Sequence, residues 1–210
     1  MDWHLIAAVL VTMAASYLLG CCNTSIVISK YVLRDDVRNH GSGNAGLTNF
    51  YRTYGAKYAL GVIALDMGKT VVAGLIGGYL FWFLRQDWTL GLLLAGIGCE
   101  LGHMFPAFYG FKGGKGILCG GTLAWMLGWK VGLVAWGLFA ALWLLSKYVS
   151  LGSVWAGASF PVVTFFVYRD PVLTLLGLLL GGLVVFMHRG NISRLLHGTE
   201  NKFSLHHKKE

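Results

Sequence analysis

Long, nearly charge-free apolar stretches follow one another along this 210-residue chain and constrain its fold more than any other feature. A helix needs about 20 consecutive apolar residues to cross the hydrocarbon core of a bilayer. Seven stretches approach or exceed that length, at residues 5–29, 58–84, 88–111, 116–129, 131–146, 148–168 and 172–188. The sequence therefore predicts an all-α integral membrane protein with about seven transmembrane helices. The fourth stretch is short, so we expect a half-length or re-entrant helix there.

The composition excludes an ordinary water-soluble domain. Hydrophobic residues make up 56% of the chain and charged residues 12%, whereas soluble domains average about 45–50% and about 25%. A chain of this size cannot bury so large an apolar fraction away from water. We expect a single polytopic membrane domain over residues 1–210.

Basic residues are distributed unevenly between the two faces that seven spans would define. The loops near 30–57 and 110–116, the turn at Lys147 and the tail at 189–210 carry thirteen of the 17 Lys and Arg residues. The opposite face carries three. The positive-inside rule then predicts that the N-terminus lies outside and that these loops and the C-terminus are cytoplasmic. The net charge of +8 fits contact with anionic lipid and requires no nucleic acid.

The first polar loop, residues 40–52 with the sequence HGSGNAGLTNFYR, is rich in glycine and in hydrogen-bond donors. Its glycines can adopt φ > 0 and turn successive N–H groups toward one anion. A helix that begins within residues 44–48 would add its free N–H groups. The alternative is an ordinary glycine-rich turn with an Asn or Thr helix cap. The candidate anion ligands are Gly41, Ser42, Gly43, Asn44, Gly46 and Arg52.

The second loop, residues 111–116 with the sequence FKGGKG, repeats this chemistry. Lys112 and Lys115 flank Gly113 and Gly114, and a lysine acts as a mobile point charge for phosphate. The pattern is not a P-loop, because Gly116 stands where GxxxxGK[ST] requires Ser or Thr. The alternative is that these lysines reach the polar surface of the bilayer without binding substrate.

A third polar segment, residues 188–200 with the sequence HRGNISRLLHGTE, follows the last apolar stretch. His188 could donate a hydrogen bond or carry a proton, although a histidine at a helix C-terminus also interacts favourably with the helix dipole. Asn191 and Arg194 are three residues apart, so one helical turn would place them on the same face.

Charged residues also occur inside the apolar stretches. Asp66 and Lys69 have i, i+3 spacing, and we expect them to neutralise each other. Glu100 and His103 have the same spacing; we expect a structural role for Glu100, whereas His103 could equally orient the loop of Lys112. The four cysteines form neither a CxxC pattern nor a Cys/His ligand spacing, so we expect no metal site.

The three polar segments, together with GHMFP at 102–106, resemble the bacterial acyl-phosphate-dependent glycerol-3-phosphate acyltransferases in motif and in order. The resemblance covers essentially the whole chain. It implies a seven-helix enzyme of the bacterial inner membrane, with its active site at the cytoplasmic face. That enzyme transfers a fatty acyl group from acyl phosphate to the 1-hydroxyl of glycerol 3-phosphate and thereby initiates phospholipid synthesis. We expect a monomer that works in the lipid bilayer without a cofactor.

The resemblance also implies which residues line the site, and it adds Thr48 and Ser153 to the loop residues already named. Ser150 is a rival for the role of Ser153. The candidate catalytic residues are Ser42, Arg52, Lys115 and His188. The candidate phosphate- and substrate-binding residues are Gly41, Gly43, Asn44, Thr48, Asn49, Lys112, Gly113, Gly114, Ser153 and Asn191. The departures from the family pattern are Cys21-Cys22-Asn23, Cys99-Glu100 and Cys119-Gly120.

Two other classes of protein remain as alternatives. A transporter of a phosphorylated solute would use the two loops as selectivity elements, but it predicts internal repeats and functional residues on both faces. A lipid phosphotransferase would need several metal-binding aspartates, and the predicted cytoplasmic loops supply Asp35 and Asp36 alone.

Overall fold

The computed structural model of the chain describes residues 2–203, which form helices joined by short loops. The end of the tail at 204–210, including Lys208 and Lys209 from the charge comparison, lies outside the described residues. The helices are α1 Trp3–Cys21, α2 Thr24–Val27, α3 Leu47–Tyr54, α4 Ala56–Arg85, α5 Trp88–Met104, α6 Ile117–Leu127, α7 Trp129–Ser146, α8 Val149–Tyr168, α9 Pro171–Met187 and α10 Arg189–Leu196. A π-helical turn, Ile28–Val32, extends α2.

Several of these helices are long and apolar enough to cross a membrane, which confirms the predicted all-α membrane protein. Within residues 2–203 there are five such segments, and six if α9 and α10, which are bent by 57°, count as one broken span. α6 has 11 residues and is about 17 Å long, about half the hydrocarbon thickness. The fourth apolar stretch therefore forms the expected half-length helix. The five segments are Trp3–Val32, Ala56–Arg85, Trp88–Tyr109, Trp129–Ser146 and Val149–Tyr168.

α5 is the central helix, packed against α1, α4, α6 and α9, and nearly every residue in 91–104 is buried. Glycine makes this close packing possible, because a Cβ at Gly98 would lie 2.6 Å from the Met13 carbonyl oxygen on α1. The outer helices instead expose large apolar side chains such as Phe83 and Leu145. Such a continuous apolar exterior is suited to lipid. α7, α8 and α9 form a second group of helices on the other side of α6.

The first apolar stretch is not one continuous helix, as the run at 5–29 had suggested, but breaks after α1. Asn23 caps the short helix α2 through its side chain. The Lys69 ammonium donates to the Cys22 carbonyl oxygen at 3.0 Å, and it lies 2.7 Å from the Asp66 carboxylate. Asp66 in turn accepts a hydrogen bond from the Thr24 hydroxyl at 2.9 Å. The buried ion pair predicted for Asp66 and Lys69 is thus confirmed, and it satisfies backbone and side-chain groups freed by the break.

Candidate active site

The first and second polar loops are joined directly to each other. The Asn44 side-chain amide and the Ala45 backbone N–H both donate to the Gly113 carbonyl oxygen, at 3.2 and 3.3 Å. The Arg38 guanidinium adds hydrogen bonds to the carbonyl oxygens of Tyr109 and Lys112, at 2.7 and 3.3 Å. The two loops that sequence reasoning treated as separate anion sites therefore form one continuous rim.

Asn49 holds the first loop in shape. Its side-chain nitrogen donates to the carbonyl oxygens of Val37, His40 and Asn44 at 3.0–3.1 Å, and its side-chain oxygen accepts from the Ser42 N–H at 3.0 Å. The residue is buried, and its amide is fully used inside the loop. The structure thus gives Asn49 a supporting position, although sequence reasoning had named it as a binding residue.

The glycines of the first loop behave as predicted in two of three cases. Gly41 and Gly43 have φ of +53° and +69°, values that favour glycine. Gly46 has φ of −105° and precedes α3, which begins at Leu47, within the predicted range 44–48. In the described chain no side chain caps α3. Its first N–H groups are therefore open to an anion at the rim of the cavity.

The two lysines of the second loop lie in different surroundings. Its backbone runs over the end of α5, where the Gly113 and Gly114 N–H groups donate to the carbonyl oxygens of Met104 and His103, both at 3.0 Å. Gly113 and Gly114 are thus buried behind the site, and Lys112 is exposed and outside the cavity lining. Lys115 is the lysine of this loop that reaches the cavity.

One large cavity of about 1250 Å³ receives most of the predicted residues. Its rim is polar, and its depth is enclosed by apolar side chains from α6 to α9 such as Trp136, Phe139 and Phe160. Eleven of the fourteen predicted site residues line it, and Lys112, Gly113 and Gly114 do not. The eleven are Gly41, Ser42, Gly43, Asn44, Thr48, Asn49, Arg52, Lys115, Ser153, His188 and Asn191.

A hydrogen-bond network centred on Glu200 joins the third segment to the second loop. The Lys115 ammonium donates to the Asn191 side-chain oxygen, and the Asn191 side-chain nitrogen donates to Glu200 Oε1 at 2.7 Å. Ser150 donates to the same oxygen at 2.9 Å, and Arg194 donates to Glu200 Oε2 at 2.7 Å. Asn191 and Arg194 share one face of α10, as predicted. Glu200 was missed as a site residue, although it ends the third motif.

The electrostatics of this network favour an anionic ligand. Burial lowers the pKa of Lys115 to about 8, the nearby Glu200 carboxylate acts in the opposite direction, and the cations Arg194 and Arg52 lower the pKa further. Burial tends to raise the pKa of Glu200, but hydrogen bonds from Asn191, Ser150 and Arg194 outweigh it and lower the pKa. Three cations therefore surround one carboxylate, which leaves the rim positively charged near neutral pH.

His188 and the two candidate serines also line the cavity. His188 is buried, and its Nδ1 lies 2.8 Å from the Val184 carbonyl oxygen. A carbonyl oxygen only accepts, so Nδ1 carries the hydrogen and Nε2 of the neutral ring keeps a lone pair. Ser153 donates to the Val149 carbonyl oxygen of its own helix at 2.9 Å. Its rival Ser150 is the serine that joins the Glu200 network.

Residues 200–203, here called the tail strap, line the cavity. The Phe203 N–H donates to the Lys147 carbonyl oxygen at 2.8 Å, and its ring packs against Tyr51 and Trp143 with centroids 5.3 and 5.7 Å apart. The Arg52 guanidinium donates to the Asn201 carbonyl oxygen at 3.4 Å. The tail strap thus connects the first loop to α7.

Comparison with known proteins identifies the class that this fold and site define. The sequence model of a family described as glycerol-3-phosphate acyltransferase matches residues 10–198. A glycerol-3-phosphate acyltransferase of Thermoanaerobacter pseudethanolicus is 40% identical over 191 residues, which cover 91% of this chain and 93% of that protein. The corresponding enzyme of Finegoldia magna is 41% identical over 189 residues, which cover 89% and 91% of the two chains.

A solved structure shows the same fold. The crystal structure of PlsY (YgiH), an integral membrane glycerol 3-phosphate acyltransferase, in its glycerol 3-phosphate form, superposes with a TM-score of 0.83 at 33% identity. The match covers 93% of this chain and 96% of that chain. The chain belongs to the glycerol-3-phosphate acyltransferase family, as its three motifs predicted. It is a multi-pass membrane enzyme, and the transporter and phosphotransferase alternatives are set aside.

Proposed function

We propose that the protein transfers a fatty acyl group from acyl phosphate to the 1-hydroxyl of sn-glycerol 3-phosphate. The hydroxyl oxygen attacks the acyl carbon, the bond from that carbon to the phosphate oxygen breaks, and the hydroxyl proton leaves with a phosphate group. The products are 1-acylglycerol 3-phosphate and inorganic phosphate. The observation that carries this proposal is one cavity with a cationic rim above apolar walls, since both substrates have phosphate and the donor has a long apolar chain.

The rim supports a division of roles between its two sides. The Ser42 hydroxyl and the N–H groups at the start of α3 bind the phosphate of the donor, and Thr48 lies beside them in the first turn of α3. Arg52 and Lys115 neutralise charge on the phosphate groups. His188 and Asn191 bind glycerol 3-phosphate on the opposite side. Gly41, Gly43 and Asn44 give the first loop its shape, and Ser150 or Ser153 completes the wall from α8.

The chemistry requires positioning more than activation. Acyl phosphate is a mixed anhydride with a good leaving group, so holding the two substrates together supplies much of the rate enhancement. Fixed donors at the rim stabilise the negative charge that develops on the reacting oxygens. The substrate's own phosphate can accept the hydroxyl proton, and the lone pair on Nε2 of His188 accepts a hydrogen bond from glycerol 3-phosphate.

The placement in the membrane is part of the same proposal. Seven crossings, with α6 as the short one, put the N-terminus outside and the polar rim at the cytoplasmic face of the bacterial inner membrane. The basic residues of the rim and tail support this orientation. Acyl phosphate enters the cavity from the lipid bilayer, and glycerol 3-phosphate enters from the cytoplasm. We further propose that the enzyme is a monomer formed by a single domain.

The reaction is tested by phosphate release from palmitoyl phosphate by the purified protein in detergent, with and without glycerol 3-phosphate. We expect release that depends on glycerol 3-phosphate, an equal amount of 1-acylglycerol 3-phosphate, and a loss of about 10²-fold in Ser42→Ala, as for other lost charge-stabilising donors. Absence of acyl transfer from well-folded protein at several chain lengths would contradict the proposal.

A further inference from the structure

His103 is a buried histidine near the end of α5 to which the proposed reaction assigns no role. It is 4% exposed, and its carbonyl oxygen accepts a hydrogen bond from the Gly114 N–H of the second loop at 3.0 Å. The amino-acid sequence left open whether His103 orients that loop. The two edges of its imidazole ring have different partners, and together they connect the second loop to the break between α1 and α2.

Two donors hold the ring at Nδ1. The Lys69 ammonium lies 3.1 Å from Nδ1, and the Asn23 side-chain nitrogen lies 3.4 Å from it. Both groups can only donate, so Nδ1 of the neutral ring accepts and Nε2 carries the hydrogen. The donors are themselves held in place, because Lys69 also donates to the Cys22 carbonyl oxygen at 3.0 Å and the Asn23 side-chain oxygen caps α2. The orientation of the ring is therefore fixed by α4 and by the chain after α1.

The opposite edge of the ring occupies the place of a side chain at Gly114. A Cβ on Gly114 would overlap Nε2 and would lie 2.9 Å from both Cδ2 and Cε1 of His103, closer than the optimal contact distance between carbon atoms. The φ of Gly114 is not in the left-handed region. The imidazole ring, rather than the backbone conformation, thus requires glycine here, and the backbone of Gly114 packs against that ring.

Lys115 depends on this contact because it follows Gly114 directly in the chain. Its ammonium donates to the Asn191 side-chain oxygen, and the residue lines the cavity. A displacement of the loop would move this ammonium relative to Asn191 and to the substrates. Misplacing a group at a reacting centre by about 1 Å can cost about 10²-fold in rate. The contact between His103 and Gly114 is therefore in a position to affect acyl transfer.

We propose that His103 is a positioning residue, whose imidazole ring holds Gly114 and thereby sets where the Lys115 ammonium lies in the cavity. This inference rests on the proposed role of Lys115 in acyl transfer. It also gives the break between α1 and α2 a function, because Asn23 in that break donates to the ring. A histidine that only filled the core would affect the stability of the fold and would have no particular connection to Lys115.

The test measures kcat/KM for glycerol 3-phosphate, with palmitoyl phosphate as donor and the full-length protein in detergent. In His103→Asn the side-chain oxygen can take the place of Nδ1, but the atoms that contact Gly114 are absent. We expect an unfolding temperature close to that of the wild type and a loss of about 10-fold or more in kcat/KM. Gly114→Ala should also lose activity, because its Cβ overlaps the ring. The double variant His103→Asn, Gly114→Ala should be more active than Gly114→Ala alone, since the overlap is removed.

The connection to Lys115 is measured by repeating the His103 substitution without the ammonium. In the Lys115→Ala background, His103→Asn should cost less than about 2-fold, because the group that it positions is no longer there. A role in stability alone would lower kcat/KM by the same factor in both backgrounds. KM for glycerol 3-phosphate should rise in His103→Asn, since Lys115 donates to Asn191, which we propose binds that substrate.

The outcomes separate this inference from the proposed function. Full activity of His103→Asn overturns the role of His103, and so do losses that multiply independently in either double variant. If His103→Asn does not fold, His103→Gln decides, because its flexible side chain can move away from an added Cβ. Gly114→Ala should then cost less in His103→Gln than in the wild type, and an equal cost overturns the inference. A wild-type protein that transfers no acyl group contradicts the acyl phosphate reaction itself, which is a different result.

Discussion

Lys112 and Lys115, three positions apart in one loop, differ in every property that matters for binding. Lys115 lines the cavity, donates to Asn191 and has its pKa lowered by burial to about 8. Lys112 is exposed and contributes its backbone carbonyl oxygen to Arg38. The spacing of the two lysines could be read from the sequence, but their directions depend on how the loop crosses the end of α5. The mobile charge at the site is that of Lys115.

The lowered pKa of Lys115 predicts a specific dependence on pH. The lysine is charged below its pKa and neutral above it, so kcat/KM should fall as the pH rises through about 8. Lys115→Arg should move this fall to a higher pH, because a guanidinium stays protonated. The measurement is the pH profile of kcat/KM, corrected for spontaneous hydrolysis of the donor. A profile that stays flat to about pH 9.5 would contradict the assignment.

Glu200 should control that profile from its position beside Lys115. Its carboxylate raises the pKa of Lys115 against the effect of burial. Glu200→Gln removes the negative charge, so the pKa of Lys115 should fall further and the alkaline loss of activity should begin at a lower pH. Ser150→Ala, which removes one hydrogen bond to Glu200 but no charge, is the matched control. A profile that is unmoved or shifted upward in Glu200→Gln would show that the two groups are not coupled.

At the level of helices, the break between α1 and α2 depends on one buried ion pair. Lys69→Met removes the ammonium 2.7 Å from the buried Asp66 carboxylate and leaves it with the Thr24 hydroxyl and with His103 Nδ1, at 2.9 and 3.8 Å. Removing one partner of a buried ion pair costs about 3–5 kcal/mol. We expect a marked fall in the thermal unfolding temperature in detergent. The double variant Asp66→Asn, Lys69→Met carries no unpaired charge and should be more stable than Lys69→Met alone. If the double variant unfolds at a still lower temperature, as though the losses from the two substitutions simply added, this interpretation is wrong.

The helices could be predicted from the sequence, whereas the break between α1 and α2 could not. An apolar stretch long enough to cross a bilayer predicts a membrane span without any knowledge of the rest of the chain. The start of α3 also follows from local sequence, namely the glycines and capping residues before it. The break after Cys22 depends on Lys69, 47 positions away along the chain. Asn49 likewise turned inward because the carbonyl oxygens of Val37, His40 and Asn44 surround it. Such contacts arise only once the chain has folded.

For the molecule as a whole, the site forms where separate groups of helices meet. α4 and α5 supply one wall, α7 to α9 supply the other, and the short helix α6 lies between them. α6 has 11 residues and is about half as long as the hydrocarbon core is thick, and Lys115 lies just before its start and lines the cavity. The half-length helix is thus part of what places a cation above an apolar cavity.

The tail strap should contribute to substrate binding more than to stability. Phe203→Ala removes the ring contacts with Tyr51 and Trp143 and loosens the segment that holds Glu200 and the Asn201 carbonyl oxygen. We expect KM for glycerol 3-phosphate to rise several-fold with little change in the unfolding temperature. Phe203→Tyr, which keeps an aromatic ring, is the control. An unchanged KM in Phe203→Ala would argue that the tail strap is not part of the site.

The central claim is that one cationic rim above one apolar cavity carries the acyl transfer. The most direct measurement is acyl transfer from palmitoyl phosphate to glycerol 3-phosphate by the wild type, Lys115→Ala and Lys112→Ala. These variants make the same substitution in the same loop and differ in whether the lysine lines the cavity. The account predicts a loss of about 10²-fold or more in Lys115→Ala and a far smaller loss in Lys112→Ala. Equal losses, or a fully active Lys115→Ala, would contradict it.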